Sequence, residues 1–239
     1  MSGEAVSVDL LVFGPHPDDI EVGLGGAVAR HAAEGLRVGL CDLTAGEMGS
    51  NGTPEERLAE AETARAVLGA AWRENLRWPD RRIGKDPGQL EQAVSFIRRH
   101  RPRTIAVPYW SDRHPDHAAA SNVLTEAAFD AGLRRYRAEG EAWKPDWMCY
   151  YFINDSASPS FVIDVSDAYE RKREALDCHR TQFQRSLPAT TDTRVNTPLF
   201  RQLIESRDAQ FGALAGVRWA EGLIVRELIV RSSLVKGSR

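Results

Sequence analysis

Residues 14–21 read Gly14-Pro15-His16-Pro17-Asp18-Asp19-Ile20-Glu21, and they decide how the rest of the chain is arranged. The apolar run Val8 to Phe13 before them predicts a buried strand. The glycine-rich turn Gly23-Leu24-Gly25-Gly26 after them predicts a helix that begins at Gly23. One histidine and two aspartates are therefore expected in a tight loop at the carboxyl end of a strand, which is where open α/β sheets bind ligands.

A second cluster, Asp112-Arg113-His114-Pro115-Asp116-His117, repeats this arrangement further along the chain. It follows another predicted strand, Thr104 to Val107, and precedes a helix predicted from about His117 to Ala131. Parallel strands end at one edge of a sheet, so we expect the two loops to meet there around a metal. The sequence thus predicts an α/β fold with a mostly parallel sheet and a metal site at the carboxyl ends of the strands.

Length and composition fit one α/β domain over residues 1–239, with an ordered core of about residues 8–230 and a disordered tail after Arg231. Hydrophobic residues make up 42% of the chain and charged residues 27%, as in ordinary globular proteins. The net charge of -3 argues against a general nucleic-acid binder, which would be basic.

The remaining compositional signals favour the cytoplasm. The cysteines Cys41, Cys149 and Cys178 are odd in number and far apart, which indicates a reducing compartment and no disulfide framework. No run of 18 apolar residues exists, so we expect no membrane span. The start, Met1-Ser2-Gly3-Glu4, lacks the basic and apolar regions of a signal peptide.

The residue types of the two clusters suit a catalytic metal site. His16, Asp19 and His117 make a set of two histidines and one carboxylate, which holds zinc and leaves a position open for water. The same donors suit Fe²⁺ and other divalent metals. Asp18 is placed to act as general base beside the ligand Asp19, and His114 to stabilise an oxyanion or donate a proton.

Asp116 is the candidate to fix the tautomer of His114, as carboxylates near metal sites do. The whole set predicts metal-assisted hydrolysis of an amide or ester. A structural role must be weighed against it, because His-Pro-Asp is a good turn sequence and Asp often caps a helix. Two such clusters, each after a predicted strand, favour the shared metal site.

Arg57 has two interpretations that stay open at this point. It lies near the first turn of a helix that Thr53-Pro54-Glu55-Glu56 opens with a capping box, where arginine is unfavourable for the helix dipole. It is either a surface arginine paired with Glu60 or an anion-binding arginine directed into the site.

Motifs for other enzyme classes are missing from the sequence. The turn Gly23-Leu24-Gly25-Gly26 is not a dinucleotide fingerprint, because Val28 stands in place of the third glycine. Neither a G-K-[ST] segment nor a G-x-S-x-G elbow is present. We expect the three glycines to let the first helix pack closely beneath the metal loop.

The two clusters carry a family resemblance. The chain resembles the PIG-L/LmbE-like zinc deacetylases, whose motifs (P/A)-H-P-D-D and H-P-D-H are intact at residues 15–19 and 114–117. Over about residues 8 to 224 it is most similar to the N-acetylglucosaminyl-malate deacetylases of bacillithiol biosynthesis. That similarity rests on Cys41-Asp42-Leu43-Thr44, Gly49-Ser50-Asn51-Gly52-Thr53, Pro79-Asp80-Arg81, Pro108-Tyr109, Asp112-Arg113-His114, Gln182-Phe183, Thr197-Pro198-Leu199 and Trp219-Ala220-Glu221-Gly222.

The resemblance implies a Rossmann-like fold with helices on both faces of the sheet, and often a homo-oligomer, a hexamer in this family. It implies zinc at His16, Asp19 and His117, with Asp18 as general base and His114, oriented by Asp116, as electrostatic acid. For the substrate it implies contacts from Arg57 and Arg113, which suit malate carboxylates. We also expect Glu47 and Asn51, in the polar loop after the second predicted strand, to contact substrate.

Two departures from the family pattern bear on substrate range. Close relatives carry Tyr in an N-G-Y-I-E segment where this chain has Leu203, which has no hydroxyl to act as an oxyanion donor or lid contact. Relatives also often have Tyr in place of Trp219.

The predicted function is a zinc-dependent hydrolase that removes the N-acetyl group of a small N-acetylglucosaminide, with N-acetylglucosaminyl-malate as the first candidate. Alternatives are an amidase of thiol conjugates, or a deacetylase of chito-oligosaccharides or of an antibiotic precursor. A non-catalytic sugar- or metal-binding protein is the alternative from another class. The carboxylate of Asp18 speaks against the last, because a pure binding site needs no base beside its ligands.

Overall fold

A computed structural model describes residues 7–187 and 190–230 of the 239-residue chain. Its centre is a seven-stranded sheet of order β3-β2-β1-β4-β5-β7-β6. The first five strands in this order pair in parallel, and β7 runs antiparallel to β5 and β6. The strands are β1 (Leu10–Gly14), β2 (Val38–Asp42), β3 (Trp72–Asn75), β4 (Thr104–Pro108), β5 (Trp147–Tyr151), β6 (Phe161–Asp164) and β7 (Ala220–Ile224).

Helices cover both faces of the sheet, as predicted. Alternate residues of β1 point to opposite sides, so Leu10 and Val12 join one apolar cluster and Leu11 and Phe13 another. The first cluster includes residues of α1, α2, α5 and α7, and the second includes residues of α3 and α4. The helices are α1 (Asp19–Ala33), α2 (Pro54–Leu68), α3 (Pro87–His100), α4 (Pro115–Ala131), α5 (Tyr169–Cys178), α6 (Arg180–Phe183) and α7 (Pro198–Ala215).

The position of the site follows from the strand order. Strand β1 pairs with β2 on one side and with β4 on the other, so the order of strands along the chain reverses at β1. The loops that leave the carboxyl ends of β1 and β4 therefore diverge to opposite faces and open a crevice between them. Both histidine clusters of the sequence lie in this crevice.

Both helices that follow these loops begin earlier than predicted. Helix α1 begins at Asp19 rather than Gly23, and α4 begins at Pro115 rather than His117. Asp19 and His117 therefore lie in the first turns of two helices, with Asp18 and His114 as the preceding cap residues. The side chain of Asp18 makes no capping bond to α1, which leaves its carboxylate available to the crevice.

The glycines of α1 allow the close packing expected of them. A Cβ on Gly23 would lie 2.3 Å from Tyr151 Cδ2 and 2.6 Å from the carbonyl oxygen of Phe152, and one on Gly26 would lie 2.8 Å from Val165 Cβ. Only glycine lets the helix approach β5 this closely. The amino-terminal turn of α1, which carries Asp19, is thereby fixed against the sheet.

Cys41, Cys149 and Cys178 are all unpaired thiols. None of the helices in residues 7–187 and 190–230 is both long and apolar enough to cross a membrane. The tail predicted to be disordered after Arg231 lies outside the described residues.

Candidate metal centre and its cavity

The two histidine clusters line one wall of a cavity of about 520 Å³ at the carboxyl ends of β1 and β4. His16, Asp18 and Asp19 come from the loop after β1, and His114 and His117 from the start of α4. The cavity is also lined by four arginines, Arg57, Arg81, Arg113 and Arg194.

The three predicted metal ligands converge on one carboxylate oxygen. Asp19 Oδ2 lies 3.0 Å from His16 Nδ1 and 3.3 Å from His117 Nε2. The backbone N–H of His16 also donates to this oxygen, at 2.9 Å. Two imidazole nitrogens therefore lie beside one carboxylate oxygen, and these are donor types that a mononuclear metal site uses.

Each of these histidines turns its other ring nitrogen to a carboxylate. Asp80 Oδ1 lies 3.2 Å from His16 Nε2, and Asp112 Oδ1 lies 3.0 Å from His117 Nδ1. Carboxylates in this position fix the tautomer and orientation of metal-binding imidazoles. The sequence did not single out Asp80 or Asp112 for this role. The only signal was that each belongs to a segment shared with the family, Pro79-Asp80-Arg81 and Asp112-Arg113-His114.

The electrostatics of the cluster favour a bound cation. The side chains of five carboxylates are no more than 10% exposed: those of Asp18, Asp19, Asp80, Asp112 and Asp116. Burial alone would lower the pKa of His117, but Asp19 and Asp112 outweigh it and raise that pKa to about 9. Burial is likewise outweighed at His16, where Asp116, Asp19 and Asp80 raise the pKa well above its usual value.

Asp19 responds in the opposite sense. Its burial would raise its pKa, yet His117 and His16 hold that pKa well below the ordinary value. The donor set therefore takes up positive charge readily, and a divalent metal suits it. Two groups of donors have ligand atoms that all lie within 4.8 Å of one another, and neither includes Asp19: one comprises His16, His114 and His117, and the other comprises His16, Asp80 and Asp116.

Asp18 and Arg57 form a buried ion pair at the wall of the cavity. Arg57 Nη2 donates to Asp18 Oδ1 at 3.2 Å, and Nη1 donates to the carbonyl oxygen of Gly46 at 2.9 Å. A Cβ at Gly46 would lie 1.7 Å from that Nη1, so glycine is needed there. The interpretation of Arg57 as a surface residue paired with Glu60 is wrong, because Glu60 instead accepts hydrogen bonds from Thr181.

His114 is half-buried and stacks on His117, with ring centroids 4.7 Å apart. Its Nδ1 accepts a hydrogen bond from the backbone N–H of Asp116 at 3.2 Å, so a proton on the neutral ring resides on Nε2. Burial, together with His16 and His117, lowers the pKa of His114. The ring is therefore suited to donate a hydrogen bond from Nε2 while neutral.

The expected role of the Asp116 carboxylate needs correction. Asp116 Oδ2 accepts from the backbone N–H of Arg81 at 2.9 Å, Oδ1 accepts from Arg81 Nη1 at 3.0 Å, and Oδ2 lies 3.6 Å from His16 Nε2. His114 is held by the main chain of Asp116, because it caps α4. The carboxylate instead joins Arg81 to the metal cluster.

The structure separates the four expected substrate contacts. Arg57 and Arg113 line the cavity, whereas Glu47 and Asn51 do not. Glu47 Oε1 accepts from the backbone N–H of Asp80 at 2.7 Å and so supports the loop that carries Asp80. Asn51 exchanges two hydrogen bonds with the main chain of Thr191, at 2.8 and 2.9 Å. Both side chains are engaged with backbone, so the expectation for these two residues is corrected.

Leu203 lies on α7 with 36% of its surface exposed and is not among the residues that line the cavity. Because Leu203 does not line the cavity, the absence of a tyrosine hydroxyl at this position removes no polar group from the cavity wall. Trp219 stacks on Tyr169, with ring centroids 4.0 Å apart, and also lies outside the cavity lining.

Comparison with known proteins finds several that are similar to this chain. A family model described as PIG-L, GlcNAc-PI de-N-acetylase, matches residues 11–128, which include both histidine clusters. The chain is 26% identical over 229 residues to diacetylchitobiose deacetylase of Thermococcus kodakarensis, covering 90% of this chain and 81% of the relative. It is 30% identical over 198 residues to the 1D-myo-inositol 2-acetamido-2-deoxy-alpha-D-glucopyranoside deacetylase of Rhodococcus erythropolis, covering 69% of this chain and 67% of the relative.

Among solved structures, a conserved protein of Thermus thermophilus superposes with a TM-score of 0.87. The two sequences are 38% identical, and the match covers 97% of this chain and 99% of that chain. The fold predicted from the sequence is confirmed.

Proposed function

The chain belongs to the PIG-L family of de-N-acetylases, and from that premise we propose that it hydrolyses the N-acetyl group of an N-acetylglucosamine conjugate in the cavity at β1 and β4. The observation that carries this proposal is the meeting of His16 Nδ1 and His117 Nε2 at one oxygen of Asp19, with Asp18 on the adjoining wall.

We assign the metal to His16, Asp19 and His117, with zinc as the first candidate and Fe²⁺ as the second. A divalent cation held there supplies Lewis acidity and lowers the pKa of a water molecule toward about 7. Asp80 and Asp112 support the assignment, since each holds the far nitrogen of one histidine. Of the two donor groups that lie within 4.8 Å, the three histidines include no carboxylate ligand, and the other group includes only one histidine.

The residues around the metal ligands divide the remaining chemistry. Asp18 is the general base that accepts the proton of the attacking water, and Arg57 holds its carboxylate in place through a hydrogen bond. His114 donates a hydrogen bond from Nε2 to the oxygen that gains charge in the transition state. Because its Nδ1 accepts from a backbone amide, the ring cannot turn without losing that hydrogen bond.

The identity of the conjugate is a finer proposal. The named relatives act on an inositol glycoside and on diacetylchitobiose, whose sugar partners carry no charge. Four arginines line the cavity of this chain. Arg57 and Arg81 pair with carboxylates of the site, and the other two favour a substrate with an anionic partner. We therefore propose N-acetylglucosaminyl-malate first and the inositol glycoside as the second candidate. Thiol conjugates and antibiotic precursors rank below both, because no contact described in the cavity is specific to them.

Acetate release by the zinc-loaded protein tests the proposed function. N-Acetylglucosaminyl-malate, the inositol glycoside and diacetylchitobiose are compared in parallel, with the Asp18→Asn variant as the inactive control. Acetate release from any of the three substrates supports the deacetylase function. The substrate hydrolysed fastest identifies the chemical class of the group attached to the N-acetylglucosamine. A protein that binds zinc and sugar but releases no acetate from any of the three is not a deacetylase of these conjugates.

The family resemblance further suggests a cytoplasmic homo-oligomer, with a hexamer as the proposed state. Light scattering after size exclusion tests it directly. The mass expected for a hexamer is six times the 26.6 kDa of the chain, and a mass of one chain overturns it.

A further inference from the structure

Two of the four arginines in the cavity differ from the other two in their pairing. Arg57 pairs with Asp18 and Arg81 with Asp116. Within residues 7–187 and 190–230, no carboxylate lies within salt-bridging distance of the guanidinium of Arg113 or Arg194. Both line the same cavity as the metal ligands. Two guanidinium groups without a paired counter-charge in one cavity form a natural site for an anion.

Arg194 is fixed in place by neutral groups. Its Nη1 donates to Asn154 Oδ1 at 2.7 Å, and its guanidinium lies over the ring of Phe200, 5.2 Å from the centroid. Neither partner carries a negative charge, so the guanidinium can still pair with an anion that enters the cavity.

The surroundings of Arg194 leave its positive charge incompletely balanced. Burial and the neighbouring charge of Arg113 lower the pKa of Arg194, and the carboxylates of Asp155 and Asp112 oppose that shift only in part. An anion placed between Arg113 and Arg194, both of which are exposed, would offset their mutual repulsion.

Two buried asparagines, Asn51 and Asn196, hold the backbone of Thr191 and Thr193 beside Arg194. Asn51 exchanges two hydrogen bonds with the main chain of Thr191, and Asn196 Nδ2 donates to the same carbonyl oxygen at 2.9 Å. Asn196 Oδ1 also accepts from the backbone N–H of Thr193 at 3.1 Å. The backbone beside Arg194 is therefore organised before a ligand arrives, which reduces the entropy lost on binding.

We propose that Arg194, which the sequence did not single out, completes with Arg113 a subsite for the carboxylate or phosphate of an anionic group attached to the N-acetylglucosamine. The subsite makes Arg194 a specificity-determining residue. It rests on the proposed function only because that function supplies the N-acetylglucosamine to which the anion is attached. A guanidinium binds either oxyanion through two parallel N–H groups, so the chemistry is shared and the ligand must be distinguished by experiment.

Steady-state kinetics of Arg194→Gln test the subsite. We expect the ratio of kcat/KM for N-acetylglucosaminyl-malate to kcat/KM for diacetylchitobiose to fall by on the order of tenfold to a hundredfold, mostly through KM, because a hydrogen bond to a charged group is lost. Arg194→Lys should recover part of the ratio. Arg185→Gln is the matched control, because Arg185 is another exposed arginine, nine positions earlier in the chain, that pairs with Asp192 and is absent from the cavity lining. An unchanged ratio in Arg194→Gln overturns the subsite and leaves the deacetylase standing.

Calorimetric titration of the zinc-loaded protein with L-malate, and separately with inorganic phosphate, tests binding without turnover. We expect one of the two to bind the parent and the Arg185→Gln control equally and Arg194→Gln at least about tenfold more weakly. Tighter binding of malate identifies a carboxylate subsite, and tighter binding of phosphate identifies a phosphate subsite. If parent and Arg194→Gln bind both anions equally, the subsite is overturned. This result stands even if no acetate is released from any sugar, which would overturn only the proposed function.

Discussion

Asp112 Oδ1 lies 3.0 Å from His117 Nδ1, and this contact turns the opposite nitrogen of His117 toward Asp19. The same carboxylate accepts from the backbone N–H groups of His114, Asn154 and Asp155. Asp112 therefore ties the start of α4 to the loop after β5 while it orients a proposed metal ligand.

Asp112→Asn should weaken zinc binding by about tenfold to a hundredfold, because an amide is a poorer acceptor for the imidazole N–H than a carboxylate. Competition with a chromophoric chelator measures the affinity. Glu126→Gln is the control, since Glu126 is an exposed residue of α4, the helix that carries His117. Equal zinc affinity in Asp112→Asn and the control would remove the orienting role.

Asp18→Asn should retain zinc and lose turnover by about a hundredfold to ten-thousandfold, because the substitution removes the general base and keeps its shape. Metal content and kcat are measured on the same preparation. A variant that binds zinc and hydrolyses substrate at the parent rate would refute the assignment of the base.

Zinc affinity should rise with pH up to about pH 9, because a proton on His117, whose pKa is raised to about 9, competes with the metal. The stability of the metal-free protein should instead fall as the pH rises. Since the folded pKa of His117 exceeds the unfolded value of about 6.5, the stabilisation from its protonation is complete below that value. This stabilisation is lost as the pH rises through about 9. Zinc titrations and urea unfolding of the metal-free protein across this range check both slopes, and parallel slopes would contradict the expectation.

Gly23→Ala should lower the free energy of unfolding by about 1–3 kcal/mol, because the added methyl group overlaps Tyr151 and the backbone of Phe152. Gly132→Ala is the matched control, since its nearest neighbours would lie 3.4 Å from the new Cβ. Urea denaturation measures both variants. Equal stability of Gly23→Ala and Gly132→Ala would contradict the close approach of α1 to β5.

The sequence was sufficient to place the residues that follow strands β1 and β4. His16, Asp19 and His117 were predicted to lie together because each cluster stands directly after an apolar run and because parallel strands bring such loops together. The helix starts were placed two to four residues late, since proline and aspartate also favour turns and hid the first helical turn.

What the sequence did not reveal depends on contacts between distant segments. Asp80 reaches His16 from a turn 64 positions later, and no local pattern distinguishes it from other turn aspartates. Asn51 looked like a substrate contact in a polar loop, but its partner Thr191 lies 140 positions away. The role of the Asp116 carboxylate was misassigned because Arg81, which takes it up, comes from another loop.

Anomalous X-ray diffraction at the zinc edge, from crystals of the zinc-loaded protein, tests the proposed metal centre most directly. We expect one peak within about 2.0–2.2 Å of a nitrogen of His16, a nitrogen of His117 and an oxygen of Asp19. In that structure Asp80 and Asp112 should still contact the outer nitrogens of the two histidines. A peak among His16, Asp80 and Asp116, a peak among the three histidines without Asp19, or no peak in this cavity would contradict the assignment.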